Sequence, residues 1–217
     1  MELEKLLGIM DTLLGENGCA WDREQTHESL RPYMLEECYE AIEAIDSGNM
    51  DDLRDELGDV LLQVVFHAKL AQKAGVFTID DVISSISRKL VSRHTHVFGD
   101  DSAESGSDVM KIWEANKEKE RQGSEVSAMN DVAKALPALV RASKVIKRSK
   151  ITLPSAEEMS CQIRAKFDGF SMQNEEFGKT LLALVAFGNI LDINAEFSLT
   201  NAIEAFINTE STALFGQ

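Results

Sequence analysis

Proline is scarce in this chain: three residues in 217, Pro32, Pro137 and Pro154. With so few breakers and long stretches of 3.6-residue apolar periodicity, an all-α fold is expected, and strand signals are correspondingly thin. Cysteine is nearly as rare. Cys19, Cys38 and Cys161 are an odd number with no CxxC or other metal-ligand spacing, which excludes a disulfide scaffold or thiolate metal site and fits a reducing, cytoplasmic compartment. Each is expected to act as a small buried hydrophobe. Long apolar runs are missing too: the purest, Leu181 to Phe187, falls far short of the ~20 residues of a spanning helix. Met1 to Met10 mixes Glu2, Glu4 and Lys5 into an amphipathic start, unlike a secretory signal.

Positive charge is the remaining shortage. Lys plus Arg number 22 against 37 Asp plus Glu, a net of −15. A nucleic-acid polymer or an anionic membrane as partner is thereby disfavoured, because affinity for either comes from neutralising its charge with Lys and Arg. The deficit is uneven: residues 1–120 carry 12 basic and 26 acidic side chains, whereas residues 121–217 carry 10 and 11. Acidic residues usually form a solvated face. The question is whether some of those in the first half are organised.

Periodicity and turn residues predict a helix from about Ser29, as N-cap with Pro32 in the first turn, to Ile45. Asp46-Ser47-Gly48-Asn49 reads as a turn. A second helix is expected from Asp51 or Asp52 to Ala74, closed by Gly75, with Leu53, Leu57, Val60, Leu61, Val64, Val65 and Ala68 as its core stripe. So short a turn makes the pair an antiparallel hairpin. A third helix is expected from about Asp80 to Arg93 behind a Thr78 cap, then a mobile Gly99 to Asp108 loop and a short helix carrying Trp113 and Lys117.

The hairpin carries the chemistry. Glu36, Glu37 and Glu40 lie at helical-neighbour spacing on its first arm, and Glu56 and Asp59 on its second. Residues equidistant from an antiparallel turn sit at one height, and both Glu37 with Asp59 and Glu40 with Glu56 are centred on Gly48. Four carboxylates are thus expected at one level. Like charges a few ångströms apart repel, so the arrangement implies a neutralising cation. Carboxylate oxygens are hard ligands, which points to Mg²⁺ first and Mn²⁺ as a substitute. A di-iron oxidoreductase is the rival metal reading, but its Glu-x-x-His signature occurs only at Glu24 to His27, ahead of the helix and unpaired. The histidines, His67 among them, read as hydrogen-bonded structural residues.

A shift of 120 residues lays Glu56-Leu57-Gly58-Asp59 over Glu176-Phe177-Gly178-Lys179 and Phe77-Thr78-Ile79 over Phe197-Ser198-Leu199. An internal duplication is expected: one repeat over residues 1–121, a linker at 122–130 and a second, degenerate repeat over 131–217. Its Lys179 stands where the aspartate of ExxD would be, among residues with too few acids for a metal. A basic run with no acid from Val132 to Ala156 separates the two halves.

These strings resemble the MazG nucleoside triphosphate pyrophosphohydrolases of the all-α NTP pyrophosphatase superfamily. The resemblance is carried by Gly18-Cys19-Ala20-Trp21-Asp22 with Gln25-Thr26-His27, by Glu36-Glu37-Cys38-Tyr39-Glu40, by Asp55-Glu56-Leu57-Gly58-Asp59, by Lys89 to His96 with Val97-Phe98-Gly99-Asp100, and by Trp113 to Lys117. Ala20 departs from it, where the pattern usually has proline. The resemblance implies a dimeric helical bundle, with two MazG-like repeats here, that hydrolyses (d)NTP to (d)NMP and pyrophosphate with Mg²⁺. It makes Glu37, Glu40, Glu56 and Asp59 the metal ligands and leaves Glu36 either to support those ligands from behind or to orient the attacking water. Lys89 and Arg93, and Trp113 and Lys117, each pair four apart on a helix, are implied to clamp the phosphates and border the base. A non-catalytic descendant that binds nucleotide and metal is the alternative.

Overall fold

The computed structural model describes residues 2–121, 132–149, 151–168 and 174–209. Among them are eleven helices and no strand, as the scarcity of breakers and strand signals implies. The chain divides into two compact units, Met1–Gln122 and Gly123–Gln217. The expected linker, residues 122–130, lies outside the described residues.

The first unit is built on α1 (Glu2–Leu14), α2 (Ala20–Glu24), α3 (Arg31–Ser47), α4 (Met50–Lys73), α5 (Ile79–Arg93), α6 (Thr95–Phe98) and α7 (Gly106–Arg121). Leu3, Leu6, Leu7, Met10, Leu13 and Leu14 recur at helical spacing on α1 and pack on α4 around buried Met10, Val65 and Phe66. Lys69, nearly buried, adds an ion pair to Asp11 at 2.6 Å across the same seam. The hairpin forms as expected, and α3 with α4 is the most extensive helix pairing among the described residues. Its contact is made by small side chains, since the residues of α3 that are fully buried are Ala41 and Ala44, which lets the two backbones approach closely. Gly48 takes φ of 72° at the end of α3, a left-handed conformation that favours glycine.

Helix boundaries differ from the expected ones where side chains have other partners. Ser29 does not cap α3, because its hydroxyl donates to Gln25 Oε1 at 2.8 Å and accepts from the Thr26 amide at 2.9 Å, closing a turn ahead of the helix. Leu30 occupies the cap position instead, with Pro32 in the first turn. Asn49 caps α4 by accepting from the Asp51 and Asp52 amides. The Thr78 cap is present and forms a full capping box with Asp81. Helix α7 claims Gly106 to Asp108 from the expected loop and runs for 16 residues, capped by Ser105, whose hydroxyl accepts from the Asp108 amide. Leu57 and Leu61 are a correction: assigned to the core stripe of α4, they are 53% and 43% exposed, while Val65 and Ala68 are buried. The cysteines are another, Cys19 and Cys161 being exposed and Cys38 half-buried. Cys19 lies at the solvent-facing start of α2 and Cys161 on the outer face of α9, so neither meets the core.

The second unit comprises α8 (Ala138–Ser149), α9 (Ala156–Asp168), α10 (Asn174–Ile190) and α11 (Ala195–Thr209) around Met159, Ile163 and Ala186. Asn194 caps α11, accepting from the Glu196 and Phe197 amides. Phe197 therefore lies inside a helix, whereas Phe77 precedes the Thr78 cap of α5. The 120-residue shift, good for the ExxD strings, does not superpose these two phenylalanines. No single described helix is long and apolar enough to cross a membrane.

Met10→Ala should cost the first unit about 2–5 kcal/mol through the cavity it opens. Urea unfolding followed by tryptophan fluorescence checks this, since both tryptophans, Trp21 and Trp113, belong to that unit.

Candidate functional site

On the α3–α4 hairpin, Glu37, Glu56 and Asp59 converge: one carboxylate oxygen from each lies within 4.8 Å of the others. Glu37 and Glu56 are half-buried and Asp59 is exposed. This is the hairpin symmetry expected about Gly48, with one difference. Glu40, on the same arm one turn beyond Glu37, stands beside the triad and is not part of it, its charge helping to raise the Glu37 pKa. Glu36 adds its charge to Glu37 but is exposed on the neighbouring face of α3.

Electrostatics mark the cluster as short of positive charge. Burial, then the charges of Asp59 and Glu40, push the Glu37 carboxyl above the usual carboxylate range. Glu56 is raised in the same way by burial and then by Glu40 and Asp59. Three oxygen donors with no nitrogen or sulfur among them suit a hard divalent cation such as Mg²⁺ or Mn²⁺. Among the described residues no histidine joins the cluster, so the di-iron arrangement is not what these helices build. His67 stacks on His27, with their Nδ1 atoms 2.7 Å apart, and burial lowers its pKa. His94 Nδ1 lies 2.7 Å from the Leu90 carbonyl.

The cations and the tryptophan come together where α5 meets α7. Lys117 Nζ is 4.3 Å and Arg93 Cζ 5.5 Å from the centroid of the Trp113 ring, distances at which a cation is attracted by the π face. Lys89, one turn before Arg93, is exposed, and its charge helps to lower the Glu120 pKa. Arg93 itself is bound by Glu120 at 2.6 Å. The sequence reading missed Glu120, because a pairing between residues 27 apart leaves no local spacing to detect.

Asn194 stands at the head of α11 as Thr78 stands at the head of α5. With Thr78 matched to Asn194, Lys89 falls at Ala205 and Arg93 at Thr209, neither of them a cation. In α10, Lys179 is ion-paired to Glu175 at 2.7 Å and to Glu176 at 3.0 Å.

The chain is similar to known proteins. The profile of the MazG nucleotide pyrophosphohydrolase domain matches residues 25–98, which span α3, α4 and α5. The chain is 40% identical to the nucleoside triphosphate pyrophosphohydrolase/pyrophosphatase MazG of Thermotoga maritima, over 94% of this chain and 82% of that one. It is 42% identical to the nucleoside triphosphate pyrophosphohydrolase of Escherichia coli K12, over 94% and 84%. A mazG-related protein of Thermotoga maritima, of known crystal structure, aligns with a TM-score of 0.46 at 26% identity, over 53% of this chain and 98% of that one. With such identity over most of both sequences in the first two cases, the chain belongs to the MazG nucleotide pyrophosphohydrolase family.

Proposed function

We propose that this protein is a Mg²⁺-dependent nucleoside triphosphate pyrophosphohydrolase that converts (d)NTP to (d)NMP and pyrophosphate at its first unit. The observation that carries the reading is the convergence of Glu37, Glu56 and Asp59, in a chain whose relatives are named for this hydrolysis. Glu37, Glu56 and Asp59 would hold the cation, with Glu40, beside Glu37, as a fourth donor. Bound Mg²⁺ supplies neutralisation of phosphate charge and a more acidic water. Glu36 orients the attacking water. The water oxygen bonds to the α-phosphorus, the bond from that phosphorus to the bridging oxygen of the β-phosphate breaks, and pyrophosphate departs. Lys89, Arg93 and Lys117 bind the phosphates and Trp113 borders the base. The second unit, a degenerate repeat lacking equivalents of Asp59, Lys89 and Arg93, serves packing.

The active form is a homodimer. Tyr39, Leu57, Leu61, Ile83, Ile86 and Leu90 are all 41% exposed or more, on α3, α4 and α5. Apolar side chains in such number on three neighbouring elements are what a second copy covers.

Glu40→Gln and Asp59→Asn should each abolish release of pyrophosphate from NTP and Mg²⁺ while leaving the helical circular dichroism unchanged; full turnover in either variant would refute the assignment. Melting temperature gives a test free of turnover. The raised Glu37 and Glu56 pKa values mean that the metal-free fold carries a penalty for their ionisation, absent at low pH and growing as pH rises through those values. Mg²⁺ should therefore raise the melting temperature at neutral pH and do much less near pH ~4, close to the ordinary carboxyl pKa values, where Glu37 and Glu56, raised above them, are the more protonated. Finally, Leu61→Arg combined with Ile86→Arg should halve the mass measured by light scattering.

A further inference from the structure

The α5–α7 contact contains an acid that the reaction as described leaves unused. Glu120, in the last turn of α7, binds the side-on edge of the Arg93 guanidinium. Its Oε2 accepts from Nη2 at 2.6 Å and from Nε at 3.1 Å, and its Oε1 accepts from Nε at 3.3 Å. The Ser92 hydroxyl, next along α5, donates to Oε1 at 2.8 Å. Arg93 and Glu120 are only 20% and 33% exposed, in contrast with the solvated Lys111–Asp108 pair on the same helix at 75% and 40%. Arg93 and Ser92 together hold the Glu120 carboxyl below the usual carboxylate range, so it stays an anion and an acceptor.

The edge that Glu120 takes decides what remains. A guanidinium has five N–H donors in one plane. Glu120 uses the Nε hydrogen and one Nη2 hydrogen, leaving the second Nη2 hydrogen and one Nη1 hydrogen side by side on the outer edge, with the other Nη1 hydrogen facing Cδ. That edge is the fork by which arginine takes a phosphate through two parallel hydrogen bonds.

The rest of α7 is arranged to keep this geometry. Trp113, Asn116, Lys117 and Glu120 follow one another at helical-neighbour spacing on one face. Asn116 is buried and donates to Thr95 Oγ1 at 2.8 Å, and Thr95 in turn donates to Asp101. Polar contacts to the segment just after α5 thus fix the rotation of α7, on a face where leucines would pack at lower desolvation cost.

We propose that Glu120 is a positioning residue for phosphate recognition: anchored by Ser92, it holds the Nε–Nη2 edge of Arg93 and turns the outer edge of the guanidinium toward the substrate triphosphate. The inference rests on Arg93 as a phosphate clamp. It is the opposite of a latch, in which Glu120 would occupy the phosphate position and have to leave.

Steady-state kinetics with NTP and Mg²⁺ on the full chain, carrying R93A, E120A, E120Q or R93A/E120A, separate these ideas. Melting temperatures confirm that each variant is folded. E120A should raise KM roughly tenfold, the scale of losing one charge-assisted orientation, with kcat altered less than about threefold. E120Q should lose less, since its carbonyl still accepts from Nε or Nη2. The double variant should be no worse than R93A alone. Calorimetric titration with inorganic tripolyphosphate and Mg²⁺ should give the same rank order without turnover, and decides the matter if the chain hydrolyses no NTP. A lower KM in E120A, or additive losses in the double variant, overturns the proposal. Raised KM in R93A with unchanged KM in E120A overturns it while sparing the clamp, and unchanged KM and tripolyphosphate affinity in R93A overturns both.

Discussion

Repulsion between carboxylates held together across the α3–α4 hairpin is the constraint on which the rest of the structure turns. The turn at Gly48 and Asn49 sets the register, and Ala41 and Ala44 let the two helices come close enough for Glu37, Glu56 and Asp59 to meet. Such an assembly opposes its own formation in the absence of a cation. The offsetting stability comes from the opposite end of α4, where Val65, Phe66 and Ala68 are buried against α1. One helix thus has two parts, an apolar end that secures it and a charged end that is strained electrostatically. This division resembles the general pattern in which perturbed carboxyls gather at functional sites and the scaffold bears the cost.

Much of that plan was legible in the order of residues. The symmetry of Glu37 with Asp59 about Gly48 is a property of chain positions, so spacing was enough to find it. Glu40 obeys the same arithmetic with Glu56 and still stands apart, because backbone height does not fix where a side chain reaches. The cap of α3 was misplaced for a similar reason. Ser29 has the right chemistry and nearly the right position, but its hydroxyl is engaged with Gln25 and Thr26. Leu57 and Leu61 keep helical periodicity yet face outward, and periodicity alone cannot distinguish packing within one chain from packing against another.

Contacts between distant segments were the least visible. Glu120 and Arg93 belong to helices whose pairing no local pattern announces. Trp113 and Lys117, by contrast, sit four apart on one helix, and their shared orientation follows from helical geometry. The two units make the same point: similar strings suggest a shift of 120 residues, while Thr78 and Asn194, the caps of α5 and α11, lie 116 residues apart.

Lys179 has a consequence of its own. By reaching both Glu175 and Glu176 it brings a counter-charge tethered to the same helix. A tethered charge has an effective concentration set by its linkage and independent of what the surrounding solution provides. On the reading proposed above, the hairpin of the first unit draws its counter-charge from solution, whereas α10 carries one wherever it goes. Within one polypeptide, then, one half is answerable to the ionic supply of its surroundings and this stretch of the other is not.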